Sequence, residues 1–222
     1  MKPVLVINFK TYEQGTGKKG LKIAKIADKI AKKEKANIII CVQFTDLYMI
    51  SKAVKIPVYA QHIDPINYGS NTGWILPESI KKAGAKGTLL NHSERQIKSK
   101  ILNDSINRCK EIGLKTLVCA NTPKKAREIA RLNPNFIAIE PPELIGGDVS
   151  VSEAKPQVIS KGVNYVKKIN PKIPLLVGAG IKTTEDVKKS IELGAKGVLV
   201  ASGILKAKNP ERAIINLIKG FQ

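Results

Sequence analysis

Five short stretches of this chain carry side chains able to do chemistry, and each lies where an apolar run gives way to polar residues. The first ends Ile7-Asn8-Phe9-Lys10. Asn8 and Lys10 are two apart, so an extended chain turns both to the same, inward side, where an ammonium and a carboxamide can meet an anion. Taken alone, the tetrapeptide reads equally well as carrying one more surface lysine. The second stretch, Leu89-Leu-Asn-His-Ser-Glu-Arg95, puts His92 and Ser93 at the entrance to a helix. The dipole and free N–H groups there disfavour a cation, so His92 is expected as a neutral imidazole; a structural turn histidine would carry the same letters.

The third stretch, Ile137-Ala-Ile-Glu140-Pro141-Pro142, runs on into Glu143-Leu-Ile-Gly-Gly147. A carboxylate at the end of an apolar strand, with prolines stiffening the loop's entrance and glycines freeing its exit, suits a general base under a hinged lid. The plain alternative is a helix-capping or ion-paired glutamate. The last two, Val177-Gly-Ala-Gly-Ile181 and Leu199-Val-Ala-Ser-Gly-Ile204, offer small residues whose backbone N–H groups an anion can approach. They indicate phosphate and specify no reaction.

Something must bring these five stretches together. Runs rich in Val, Ile and Leu recur at Val4–Phe9, Asn37–Val42, Pro57–Gln61, Gly87–Asn91, Thr116–Cys119, Phe136–Glu140, Leu175–Gly178 and Gly197–Ala201. Helix-like segments separate them, and that alternation builds a parallel sheet. Eight such runs predict an α/β fold closed into one (β/α)8 barrel, a single catalytic domain over residues 1–222, with chemistry where strands end and βα loops begin. The helices show the matching pattern: in Gly20–Ala31, Ile23, Ile26, Ala27 and Ile30 form one stripe, with lysines opposite. Thr122-Pro123, Thr183-Thr-Glu185 and Asn209-Pro210-Glu211 read as helix starts, and Gly84, Gly113 and Gly194 as stops.

Composition narrows the classes of function. With 222 residues, 43% hydrophobic and 25% charged, the chain can bury a large core. No apolar run approaches the roughly 20 residues that span a bilayer, and the short apolar N-terminal run lacks a small-residue cleavage site, so a cytoplasmic protein without membrane partners is expected. Cys41, Cys109 and Cys119 form no C-x-x-C pair, which argues against a disulfide framework or metal knuckle. Cys109 reads as a small apolar filler in a helix. The formal charge of +20 raises nucleic-acid binding as a possibility. The lysines, however, recur on almost every helical segment (Lys18, Lys19, Lys22, Lys25, Lys29, Lys32, Lys33, then Lys81, Lys82, Lys188 and Lys189), so solvated helix faces are the expectation and no nucleic-acid partner is assigned.

Taken together and in order, Asn-x-Lys, His-Ser-Glu-Arg, Glu-Pro with its Leu-Ile-Gly loop, and the paired small-residue loops resemble the triosephosphate isomerase family over essentially the whole chain. The resemblance implies a TIM barrel interconverting dihydroxyacetone phosphate and glyceraldehyde 3-phosphate without metal or organic cofactor. It implies Glu140 as base, His92 as electrophile, and Asn8 and Lys10 beside the substrate oxygens and phosphate, with Glu94 holding Lys10. This division between a glutamate base, a neutral histidine and a closing loop is the one known for this enzyme. Phosphate would be held by backbone N–H groups near Ile145, Gly146, Gly180, Ala201 and Ser202. Cys119 would pack beside the base, and His62 would be structural or interfacial.

The chain departs from the family pattern in three places: the lid tryptophan is absent from Pro142-Glu-Leu-Ile145, strand seven has Gly178-Ala-Gly180 in place of a serine-bearing turn, and Phe9 sits between Asn8 and Lys10. Its shortness resembles the compact archaeal-type branch, which implies a homo-oligomer, a tetramer over a dimer. Tyr68-Gly-Ser-Asn-Thr-Gly-Trp74 resembles the family's dimer-forming loop, with Trp74 in place of an acidic residue and suited to burial against another subunit. Two other readings use part of the sequence. Another phosphate-binding barrel enzyme explains the last two loops but not Asn8, Lys10 and His92 together, and a basic nucleic-acid-binding barrel explains only the charge.

Overall fold

The computed structural model describes residues 2–145, 147 and 150–222. Eight strands, β1 (Val4–Asn8), β2 (Asn37–Val42), β3 (Val58–Ala60), β4 (Gly87–Leu90), β5 (Lys115–Ala120), β6 (Phe136–Ile139), β7 (Leu175–Gly178) and β8 (Gly197–Val200), pair in parallel and in chain order. The sheet closes on itself, since β1 pairs with β2 at Val4↔Asn37 and with β8 at Val4↔Gly197. Around it run helices α1 (Gly17–Glu34), α2 (Phe44–Ala53), α3 (Pro77–Lys82), α4 (Ser99–Ile112), α5 (Pro123–Ala130), α6 (Val151–Ala154), α7 (Pro156–Ile169), α8 (Thr184–Glu192), α9 (Ser202–Leu205) and α10 (Pro210–Lys219). The expected (β/α)8 barrel is therefore what the chain forms. No helix among the described residues is long and apolar enough to cross a membrane.

Strand alternation divides the core in two. Val4, Val6, Ile39, Cys41, Tyr59, Leu89, Leu117, Cys119, Ala138, Leu176 and Leu199 fill the barrel interior. Their neighbours Leu5, Ile7, Ile38, Ile40, Ile137, Ile139 and Val177 face outward into the helices. Continuing the inward series by two brings Asn8, Gln61, Glu140, Gly178 and Ala201 to the strand ends, so the period of the strand itself delivers the polar residues to one mouth.

The helices are held as their sequences require. On α1, Ile23, Ala24, Ala27, Ile30 and Ala31 are buried, while Ile26 stands at the stripe's edge. Thr122, Thr183 and Asn209 cap α5, α8 and α10, accepting from Lys125, Asp186 and Arg212 N–H groups at 3.1, 3.1 and 3.0 Å. The partner closing the box at Thr183 is Asp186, at the third helical position where such a carboxylate can reach back. Gly113 ends α4 in the left-handed conformation (φ 73°), which glycine adopts without a Cβ penalty.

Candidate active site

Asn8 ends β1, buried, and its Oδ1 accepts the Lys10 N–H at 3.0 Å. Lys10 has left the strand with a φ of 48°, and its ammonium meets Glu94 Oε1 at 2.7 Å. The expected Lys10–Glu94 pair thus forms, joining the β1 loop to the β4 loop.

His92 caps a single 3-10 turn, Ser93–Arg95, that precedes α4; the helix entrance foreseen from sequence is this turn. Its Nδ1 accepts the Glu94 N–H at 3.2 Å. An accepting Nδ1 carries no proton, so the ring's N–H is Nε2, and Nε2 lies 3.6 Å from Glu140 Oε2. Both side chains are buried.

Glu140 follows β6 directly, its N–H donating to Ala120 O at 2.9 Å. Its Oε2 is buried without a hydrogen-bond partner among the described residues. Leaving a buried carboxylate oxygen unsatisfied costs stability, which is tolerable where a ligand is to meet it. Gly178 makes room for this carboxylate: a Cβ there would lie 2.6 Å from Glu140 Oε1. Cys119 packs beside Glu140, as expected. Burial first, and then the Glu140 charge, push its thiol well above the ordinary cysteine range, and the same two causes act on Cys41. Neither is equipped to be a nucleophile.

Asn8, Lys10, His92 and Glu140 line one cleft together with Ile145, Gly180, Ala201, Ser202 and Gly203. The first turn of α9 leaves N–H groups of Ser202 and Gly203 with no partner within that helix, and Gly180 opens the β7 loop with a φ of 71°. Ile145 lines the cleft, but its own N–H donates to Pro142 O at 3.2 Å, so this amide is already engaged. Gly146, also assigned to phosphate from sequence, lies outside the described residues. The cleft further includes Tyr12 and Lys182, neither singled out from sequence. Lys206 stands 4.6 Å from the Tyr12 ring, a cation–π contact that ties the β1 loop to the loop after β8. The clue for Lys182 was available in its position next to the small-residue stretch that ends at Ile181; Tyr12 had no such clue.

Away from the cleft, His62 is buried with Nε2 3.1 Å from Asp64 Oδ1, while Asp64 Oδ2 accepts the Ile75 N–H at 2.7 Å. Burial lowers the imidazole's affinity for a proton, and the Asp64 contact opposes this. His62 thus braces the neck of the loop that exposes Tyr68 and Trp74, in keeping with a structural role.

Residues 3–220 match the family model described as triosephosphate isomerase. A triosephosphate isomerase of Methanocaldococcus jannaschii is 52% identical over 216 residues, covering 97% of this chain and 99% of that protein. One from Sulfurisphaera tokodaii is 47% identical over 223 residues, covering 99% and 97%. One from Methanobacterium bryantii is 46% identical over 216 residues, covering 97% and 96%. Agreement of that length, found by a family model and by whole-chain relatives alike, establishes that the chain belongs to the triosephosphate isomerase family and is an isomerase.

Proposed function

We propose that this chain interconverts dihydroxyacetone phosphate and D-glyceraldehyde 3-phosphate through an enediolate, using residues 1–222 as one catalytic domain. The observation that carries the assignment of roles is the buried pair His92 Nε2 and Glu140 Oε2, 3.6 Å apart in the cleft that Lys10 also lines. Glu140 takes the proton α to the carbonyl. His92 donates from neutral Nε2–H to the carbonyl oxygen and then moves protons between the two oxygens. Lys10, held by Glu94, places positive charge by the developing anion, and Asn8 fixes the Lys10 backbone. Phosphate binds at the loops after β7 and β8, through N–H groups of Gly180, Ala201 and Ser202, with Ile145 and Gly146 of the lid closing over it. Its binding positions the carbon acid without taking part in the reaction. Proton transfer alone completes the cycle, so the proposal includes no metal or organic cofactor.

The same reading makes the enzyme a cytoplasmic member of glycolysis and gluconeogenesis, with triose phosphates as its small-molecule partners and no role for nucleic acid or membrane. It also makes it a homo-oligomer, with a tetramer favoured. Tyr68 and Trp74 stand 63% and 58% exposed on one loop, and a cavity of about 290 Å³ lined by Lys10, Phe44, Thr45 and Arg95 opens beside the site, where the same loop of another copy would fit. The direct test mixes purified protein with glyceraldehyde 3-phosphate and follows formation of the ketose. Rapid isomerisation is expected, and its absence in folded protein would sink the proposal. Sedimentation gives the assembly, and a monomer at micromolar concentration would count against the oligomer.

A further inference from the structure

Lys10 is the only residue of the proposed catalytic set with φ in the left-handed region, at 48°. L-residues other than glycine adopt this conformation at a cost, so something nearby must hold it. The restraint comes from an amide just past the end of β3. Gln61 Nε2 donates to Lys10 O at 2.9 Å, and lies 3.3 Å from Cys41 O and 3.5 Å from Asn8 Oδ1. Asn8 Oδ1 in turn accepts the Lys10 N–H. Both polar backbone atoms of Lys10 are therefore committed to side chains, those of Asn8 and Gln61, which touch one another.

We infer that Gln61 is a positioning residue for the reaction: its carboxamide locks the Lys10 backbone in the left-handed turn that aims the ammonium into the cleft. The inference rests on the proposed role of Lys10. What qualifies Gln61 is its donor capacity. Three oxygens converge on its nitrogen, but Asn8 Oδ1 and Cys41 O also accept the Lys10 and Phe9 N–H groups, so a side chain of equal size without N–H groups leaves Lys10 O unpaired, and a carboxylate sets another acceptor against it. The ammonium end of Lys10 is fastened separately by Glu94. Loss of Gln61 should thus let the turn relax while the ion pair persists, shifting the charge without removing it. A misplacement on the order of 1 Å at such a group can cost roughly 100-fold in rate.

The test compares Gln61→Met, Lys10→Met and the double variant by kcat/KM for glyceraldehyde 3-phosphate and by inhibition with phosphoglycolate, an anion with carboxylate and phosphate ends. Gln61→Met should lower kcat/KM by roughly 10- to 100-fold and weaken inhibition in the otherwise unchanged chain. In the Lys10→Met background it should cost less than about two-fold, because the group it positions is gone. Wild-type behaviour of Gln61→Met, or a full additive loss in the Lys10→Met background, overturns the inference. A Lys10→Met variant with wild-type activity overturns the role of Lys10 instead. Gln61→Glu supplies a readout that survives poor folding of the methionine variant. Its protonated carboxyl regains one donor, so its activity relative to wild type should rise as pH falls from 8 to 5. A flat ratio means that the donor is not what matters and refutes the proposal.

Discussion

Glu140→Gln keeps the volume and shape of the base and removes its function. Turnover should fall by at least the ~10²- to 10⁴-fold that one acid–base group supplies, with the melting curve little changed. Steady-state kinetics beside thermal melting check this, and near wild-type turnover would refute the assignment. Lys10→Met should weaken phosphate-bearing inhibitors and lower turnover, whereas Lys32→Met, on the exposed side of α1, should do neither. Asn8, Lys10, His92 and Glu140 were legible because a polar side chain ending an apolar run is costly unless something uses it. Gln61 follows β3 directly in the same way, yet it escapes notice in the sequence: it is uncharged, and its value lies in a carbonyl 51 residues earlier. The tautomer of His92 was equally illegible, being set by where the Glu94 N–H points. Gly178 looked like part of a phosphate loop, while the structure gives it a second duty as the space occupied by the base. Gly178→Ala should therefore displace Glu140 and cost activity out of proportion to one added methyl, as paired kinetics and melting would show.

Elements were read more completely than their edges. All eight strands were placed, with ends within one residue of those observed, and α1 began and ended three residues outside the predicted stretch. Ends slip because the last turn depends on caps and neighbours more than on the apolar stripe. The capping box of α8 yields a pH prediction. Burial pushes the Asp186 carboxyl up, but hydrogen bonds from Ser150, Lys182 and Thr183 outweigh it and hold it below the usual range. A depressed carboxyl stabilises the fold above its unfolded value of about 3.9, and that stability is lost as pH falls through the lower folded value. The melting gap between wild type and Asp186→Ala should be full at pH 6 and shrink below about pH 4; a constant gap would show that charge is not the cause. The lid proposed after β6 has its own test. An enediolate beside a phosphate ester can expel that group and decay to methylglyoxal when the C–O bond stands perpendicular to its plane, so a lid holding phosphate near the plane protects the intermediate. Removing Leu144 and Ile145 should raise the methylglyoxal fraction of product, and a variant that is merely slower would limit the lid to binding.

The charge of the whole molecule should draw in a dianionic substrate. The apparent second-order rate is expected to fall as ionic strength rises from ~10 to ~200 mM, and a flat response after correction for anion competition would deny steering. The closed barrel was legible from the count of apolar runs, whereas the register of its closing pair, Val4 against Gly197, joins chain positions too distant for local pattern to report.

That closing pair sets a schedule for the newborn chain. Gly197 follows its partner Val4 by 193 residues, so β1 leaves the ribosome that much earlier than β8. At translation speeds of about 5–20 residues per second, β1 waits on the order of 10–40 s with one edge unpaired. An apolar parallel strand in that condition is a template for any neighbouring chain. Val4 to Ile7, with no charged side chain among them, cannot repel such a partner. The interval before β8 emerges is when this protein most needs shelter from its own copies.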